Sequence, residues 1–199
     1  MIDDEAVDAA VAAVRRGELV VLPTDTVYGI GARPDDAAAT AAIFEAKGRP
    51  RDLTLPVLAA TAEEARRAAV FDGRAARLAA TYWPGPLTLV LPRTAHSRGW
   101  DLGGDGVSIG VRVPDQPIAL ELLRRTGPLA VTSANRSGEP PAEDLAALTS
   151  TFGDRVTVYL TTDEPLVGSA STIVGLLGPE PSILRRGDVD PSIIAELTR

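Results

Sequence analysis

Residues 19–29 read Leu19-Val20-Val21-Leu22-Pro23-Thr24-Asp25-Thr26-Val27-Tyr28-Gly29. An apolar, β-branched run stops at a proline and hands the chain to hydroxyls, a tyrosine and a glycine, which is how a strand delivers a loop. Upstream, Asp3 and Asp4 are suited to cap a helix whose Val7, Val11 and Val14 fall on one face, closed by Arg15, Arg16 and Gly17. Downstream the alternation continues. Periodicity predicts helices over 35–46, 62–69, 73–82, 115–126 and 142–152, and strands over 54–59, 86–91, 107–113, 128–132, 155–160, 171–176 and 182–186. Asp190-Pro191 opens a last helix carrying Ile193, Ile194 and Leu197. Strands interleaved with amphipathic helices predict an α/β or α+β fold built on one sheet that can mix parallel and antiparallel strands, and a single domain over 1–199.

Composition narrows the function classes. The 199 residues are 45% apolar and 24% charged, enough for one substantial core. No apolar run approaches the roughly 18 to 20 residues of a spanning helix, and Met1 is followed by Ile-Asp-Asp-Glu rather than a basic leader. A cytoplasmic chain without membrane contact is expected. With no cysteine, thiolate zinc sites, disulfides and Cys nucleophiles are excluded. Acidic side chains outnumber basic ones 27 to 20, giving a net charge of -7, so at most weak nucleic-acid binding is expected. The single histidine, His96, lies in a polar loop and reads as a surface residue.

Several strands end in polar loops, and ligand sites in such sheets form where strand ends converge. Pro23 to Gly29 offers alternating hydroxyls of Thr24 and Thr26 beside Tyr28, or an ordinary turn. Lys47-Gly48-Arg49 closes a helix with cations, which either complement its C-terminus or neutralise a polyphosphate. In Val107 to Pro114, strand alternation puts Ser108, Gly110 and Arg112 on one face. An arginine among apolar neighbours needs solvent or an anion, and a substrate carboxylate is one candidate. Thr132-Ser133-Ala134-Asn135-Arg136-Ser137-Gly138 ends another strand in hydroxyls and amide. Ser169 to Val174 and Ser182 to Gly187 bring further serines and Arg185, individually weak signals.

The segments PTDTVYGIG, KGRP, PGPLTLVL, VRVP, TSANRSG, STIV and ILRRG follow one another in the order of the YrdC/Sua5 family, which the chain resembles from about residue 15 to 190. The resemblance implies a YrdC-like twisted mixed sheet flanked by helices, with a concave ligand cavity. It implies a nucleotidyltransferase, an L-threonylcarbamoyladenylate synthase. Such an enzyme takes ATP, L-threonine and bicarbonate with Mg2+ and no organic prosthetic group, and releases pyrophosphate. Its product feeds a downstream transferase complex that modifies adenosine 37 of tRNA. Carried over by motif, Thr26, Tyr28, Arg112 and Ser171 would form the threonine site, with Arg112 on the carboxylate and Tyr28 as the wall toward the nucleotide. Lys47, Arg49, Ser108, Ser133, Asn135 and Arg185 would hold ATP, with Lys47 and Arg49 acting on the phosphates. No protein metal ligand is implied. Phosphoryl chemistry of this kind needs positioning and charge neutralisation, so Lys47→Ala and Arg49→Ala are expected to abolish turnover with the fold intact.

Two departures stand out. Where some members carry a histidine that contacts the amino acid, this chain has Leu58, and where longer members append a second domain, it ends at Arg199, as a short single-domain form would. Two rival functions keep the same residues: a carbamoyl-phosphate-dependent carbamoyltransferase domain, and an RNA-binding module, which the net charge disfavours.

Overall fold

A computed structural model describes residues 3–163, 166 and 168–198. In chain order the elements are α1 Asp4–Arg15, β1 Val20–Leu22, β2 Gly29–Ala32, α2 Ala37–Lys47, β3 Val57–Leu58, α3 Ala62–Ala68, α4 Gly73–Tyr82, β4 Leu87–Pro92 and β5 Ser108–Arg112. Then follow α5 Pro117–Thr126, β6 Leu129–Ser133, α6 Leu145–Phe152, a 3-10 turn Gly153–Arg155, β7 Val158–Tyr159, β8 Thr172–Gly175, β9 Ser182–Arg185 and α7 Pro191–Leu197. The helix ends carry the caps that their sequences call for. Asp3 accepts from the N–H groups of Glu5 and Ala6, Asp36 from those of Ala38 and Ala39, and Asp190 precedes the proline that opens α7.

The described strands form one mixed sheet, ordered β7-β1-β2-β6-β3-β5-β4-β8-β9. Parallel pairs (β7 with β1, β3 with β5, β4 with β8) are interspersed with antiparallel ones. β2 is the one strand that the sequence does not announce, because its Gly-Ile-Gly-Ala composition reads as loop. Its glycines have a packing cause: a Cβ at Gly29 would stand 2.5 Å from Val131 Cγ1 and one at Gly31 2.8 Å from Val131 Cγ2 on the neighbouring β6.

Period-2 alternation sends opposite faces of each strand into different surroundings. Val21, Ile30, Val57, Leu87, Leu89, Ile109, Val111 and Val174 pack into one apolar cluster with side chains of α2, α3, α4, α6 and α7. Val20, Leu22, Leu58, Leu129 and Val131 pack on the other face against α1 and α5. Among the described residues that second layer meets β1, β6 and β3, with Val158 of β7, and the same face of β5, β4 and β8 is left as the floor of an open cavity. No helix among the described residues is long and apolar enough to cross a membrane.

Candidate functional site

The cavity measures about 500 Å³. Its floor is Ser108, Gly110 and Arg112 of β5 with Thr88 and Val90 of β4 and Ile173 of β8, the alternate residues of strands whose other faces fill the core. Thr24, Thr26 and Tyr28 line one wall, Leu58, Val131 and Ser133 another, and Arg49, Ser171 and Arg185 complete it.

Arg112 sits at one end, 5% exposed. Its Nε donates to the Gly85 carbonyl at 2.9 Å, Nη1 to Thr26 Oγ1 at 3.0 Å and Nη2 to Asp25 Oδ1 at 2.5 Å. The anion that a buried arginine demands is thus supplied by the chain itself. Sequence reasoning missed Asp25, although it lies between the two threonines singled out and the need for an anion was legible. Asp25 Oδ1 also accepts from the Asp115 N–H at 3.1 Å, tying the loop after β1 to the loop after β5. Desolvation holds the Arg112 guanidinium below its ordinary value, and Asp25 opposes that shift. It remains a cation, as arginine does in proteins. Thr24 and Thr26 place their hydroxyls 3.0 Å apart, so Thr26 is fixed from both sides.

Ser171 is held across the cavity. Its hydroxyl lies 2.9 Å from Thr88 Oγ1 and accepts from Arg185 Nη2 at 2.9 Å, while its carbonyl accepts from Arg185 Nε at 2.9 Å. Thr88, a second residue not singled out from sequence, therefore anchors one that was. Ser108 directs its hydroxyl at the Asp105 carboxylate, at 2.9 and 3.0 Å. Tyr28 lines the wall and is paired through its hydroxyl with the backbone of Thr162, donating to the carbonyl at 3.4 Å.

The closing turn of α2 separates its two cations. Gly48 takes the left-handed conformation (φ 59°), which glycine adopts without a Cβ clash, and turns the chain so that Lys47 points inward and Arg49 toward the cavity. Arg49 lines the cavity and donates to the carbonyls of Leu53 and Thr54 at 3.3 and 3.2 Å. Lys47, only 2% exposed, is absent from the lining. Its ammonium is 2.5 Å from Ser133 O, 2.6 Å from Asn135 O and 3.2 Å from Asn135 Oδ1. Burial, and then the charge of Arg49, push it down to about 8. Asn135 also lies behind the lining, its amide donating to the carbonyls of Arg136 and Glu139. Of the sequence-picked set, the structure thus brings Thr26, Tyr28, Arg49, Ser108, Arg112, Ser133, Ser171 and Arg185 onto one cavity, and sets Lys47 and Asn135 beneath Ser133.

Three guanidinium groups converge here. Arg185 is held below its ordinary value by desolvation and then by the positive charges of Arg112 and Arg49. Such a cavity, in a chain of net charge -7, is built for an anion. His96 lies elsewhere, exposed and stacked edge-on against Trp100. Among the described residues no three His, Asp or Glu side chains form a metal-binding group.

The Sua5/YciO/YrdC family model, described as "Telomere recombination", matches residues 12–187. The chain belongs to this family. A Mycobacterium tuberculosis relative is 46% identical over 191 residues, which cover 95% of this chain and 87% of that protein. The threonylcarbamoyl-AMP synthase of Pyrococcus abyssi is 37% identical over 188 residues, 94% of this chain but 55% of the relative. The crystal structure of P. abyssi Sua5 complexed with L-threonine superposes with a TM-score of 0.89 at 33% identity, covering 99% of this chain and 58% of that one. The family member described here therefore spans little more than half of the archaeal chain. The mixed sheet flanked by helices, with its concave cavity, is the fold these family members share.

Proposed function

We propose that the chain is an L-threonylcarbamoyladenylate synthase, a nucleotidyltransferase that joins L-threonine, bicarbonate and ATP and releases pyrophosphate. The observation that carries this reading is the convergence on one cavity of an ion-paired arginine and two arginines without an ion pair among the described residues. Arg112, already balanced by Asp25 and bonded to Thr26, with the Ser171 hydroxyl on the same cavity, suits the carboxylate and hydroxyl of an amino acid. Arg49 and Arg185, with Ser108 and Ser133 alongside, suit a triphosphate. The Pyrococcus relative's name and its homologue's threonine complex support the same assignment.

The amine of threonine, once neutral, adds to CO2 derived from bicarbonate, forming an N–C bond and releasing a proton. A carbamate oxygen then attacks the α-phosphorus, and the bond to the bridging oxygen of pyrophosphate breaks. The protein's share is alignment and charge. Arg112, Thr26 and Ser171 hold the amino acid, and Arg49 and Arg185 neutralise the phosphates as negative charge passes to the departing pyrophosphate. Lys47 enters through Ser133 and Asn135, whose backbone it fixes beneath the nucleotide end. Mg2+ comes with ATP as part of the substrate. The lining offers cations and hydroxyls rather than carboxylates, so the phosphates and water would supply its oxygens. The product would pass to a transferase complex acting on adenosine 37 of tRNA.

The test is ATP-dependent pyrophosphate release with Mg2+, with threonine and bicarbonate omitted in turn. Release requiring both is expected. No release from folded protein, or release that needs carbamoyl phosphate instead, would overturn the reading in favour of a carbamoyltransferase. A tRNA shift at low salt without turnover would point to an RNA-binding module.

A further inference from the structure

The three cavity arginines are not equivalent. Arg112 forms an ion pair with Asp25 at 2.5 Å, with side-chain exposures of 6% and 14%. Arg49 and Arg185 donate to carbonyls and to the Ser171 hydroxyl, and neither has an ion-pair partner among the described residues. Desolvation holds Arg49 below its ordinary value, and Asp52 opposes that through space without forming such a pair. The cavity therefore holds one cation compensated by an ion pair, Arg112, and two without one among the described residues, Arg49 and Arg185.

We propose that Asp25 sets the orientation of the substrates by neutralising Arg112 alone, reserving that end of the cavity for a zwitterion and leaving the polyanion to Arg49 and Arg185. It rests on the synthase reading above and deepens it. Asp25 is not on the cavity lining, so it acts through Arg112 as a positioning residue.

The physical case has two parts. A guanidinium has five N–H donors, and in Arg112 three are committed, to Gly85, Thr26 and Asp25, so two remain for a carboxylate. The local charge matters as much as the donors. A bare buried cation would draw the most highly charged ligand available, the triphosphate or pyrophosphate. A cation already paired with a carboxylate instead favours a ligand of low net charge, whose carboxylate meets the free N–H groups and whose ammonium is not repelled. Because all three arginines line one cavity, this discrimination has to be made by their partners, and Asp25 supplies the sole ion pair to any of them among the described residues.

The experiment is calorimetric titration with L-threonine and, separately, with inorganic tripolyphosphate, on the wild type, Asp25→Asn, Asp25→Glu and the double variant Asp25→Asn/Arg112→Gln. Asp25→Asn keeps an oxygen acceptor for Arg112 and the Asp115 N–H but removes the charge. It is expected to weaken threonine binding about tenfold and to tighten tripolyphosphate binding about five- to tenfold. Asp25→Glu should hold both near wild type, and the double variant should lose the tripolyphosphate gain, because the cation that Asp25→Asn leaves uncompensated is no longer there. The opposite signs are decisive: a loosened fold would weaken both ligands. Unchanged or weakened tripolyphosphate binding in Asp25→Asn overturns the proposal. Should that variant not fold, a double variant that binds tripolyphosphate more tightly than the wild type, beside an Asp25→Glu protein that loses threonine binding, would overturn it equally. A wild type that binds tripolyphosphate but not threonine sinks the synthase reading instead, with the charge effect of Asp25 still read from the tripolyphosphate titrations.

Discussion

The Nζ of Lys47 lies 2.5 Å from the carbonyl oxygen of Ser133, with Asn135 O at 2.6 Å, so the cation that ends α2 is bonded to the loop that leaves β6. Two segments nearly ninety residues apart are joined by one buried ammonium. Lys47 is also the chain's one lysine, all other basic side chains of that pair being arginine. Its removal takes the ammonium from the Asn135 carbonyl and from the Ser133 carbonyl, which keeps only the Asn135 N–H at 3.0 Å, both in half-buried places. Lys47→Ala is expected to lower stability by about 2–4 kcal/mol as well as activity, measured by urea unfolding beside pyrophosphate release. An amine-reactive reagent should reach Lys47 only on unfolding, read by mass spectrometry.

The same lysine gives the stability a pH dependence. Its folded value is about 8 against 10.5 for the free side chain, so between those values the unfolded chain binds more protons than the folded one. Its contribution to stability therefore rises as pH climbs through that window and is flat below it. Comparing wild type with Lys47→Met by urea unfolding at about pH 7 and about pH 10 should show the wild type gaining on the order of 2 kcal/mol relative to the variant. A pH-independent difference between the two proteins would contradict the assignment.

Arg49 should behave differently. It is half-buried, lines the cavity and holds only the carbonyls of Leu53 and Thr54. Arg49→Ala is expected to reduce turnover about a hundredfold or more while changing stability by less than about 1 kcal/mol. Thermal unfolding run beside the activity assay separates the two effects.

Leu58 is the register partner of Arg112 across the parallel β3–β5 pair and lines the cavity while packing into the α1/α5 cluster. An apolar side chain beside the arginine proposed to hold the threonine carboxylate can contact the methyl that distinguishes threonine from serine. Leu58→Ala should cost about 2–4 kcal/mol of stability and lower the threonine-to-serine ratio of kcat/KM by up to about tenfold. An unchanged ratio would place the methyl contact elsewhere.

Most elements were legible because their causes are local. The caps at Asp3 and Asp190 and the apolar periodicity of α1, α4 and α5 are written within a few residues of where they act. So is the alternation of β5, which places Ser108, Gly110 and Arg112 on one face. β2 was not, since Gly29 and Gly31 owe their identity to Val131, a residue of another strand.

For the site, the same boundary holds. The sequence by itself determined which residue types were available: a cysteine-free set of hydroxyls and cations at strand ends, in a motif order that names the family. Only the tertiary structure decided their division of labour. Lys47 and Arg49 are separated in sequence by Gly48 alone and read as equivalent, yet one is buried under Ser133 and the other faces the cavity. Arg112 waits for an anion in any local reading, and Asp25, eighty-seven residues away, provides it. Burial and charge compensation are properties of the neighbours brought together by folding, and pairings across such separations leave no trace in the pattern of either segment alone.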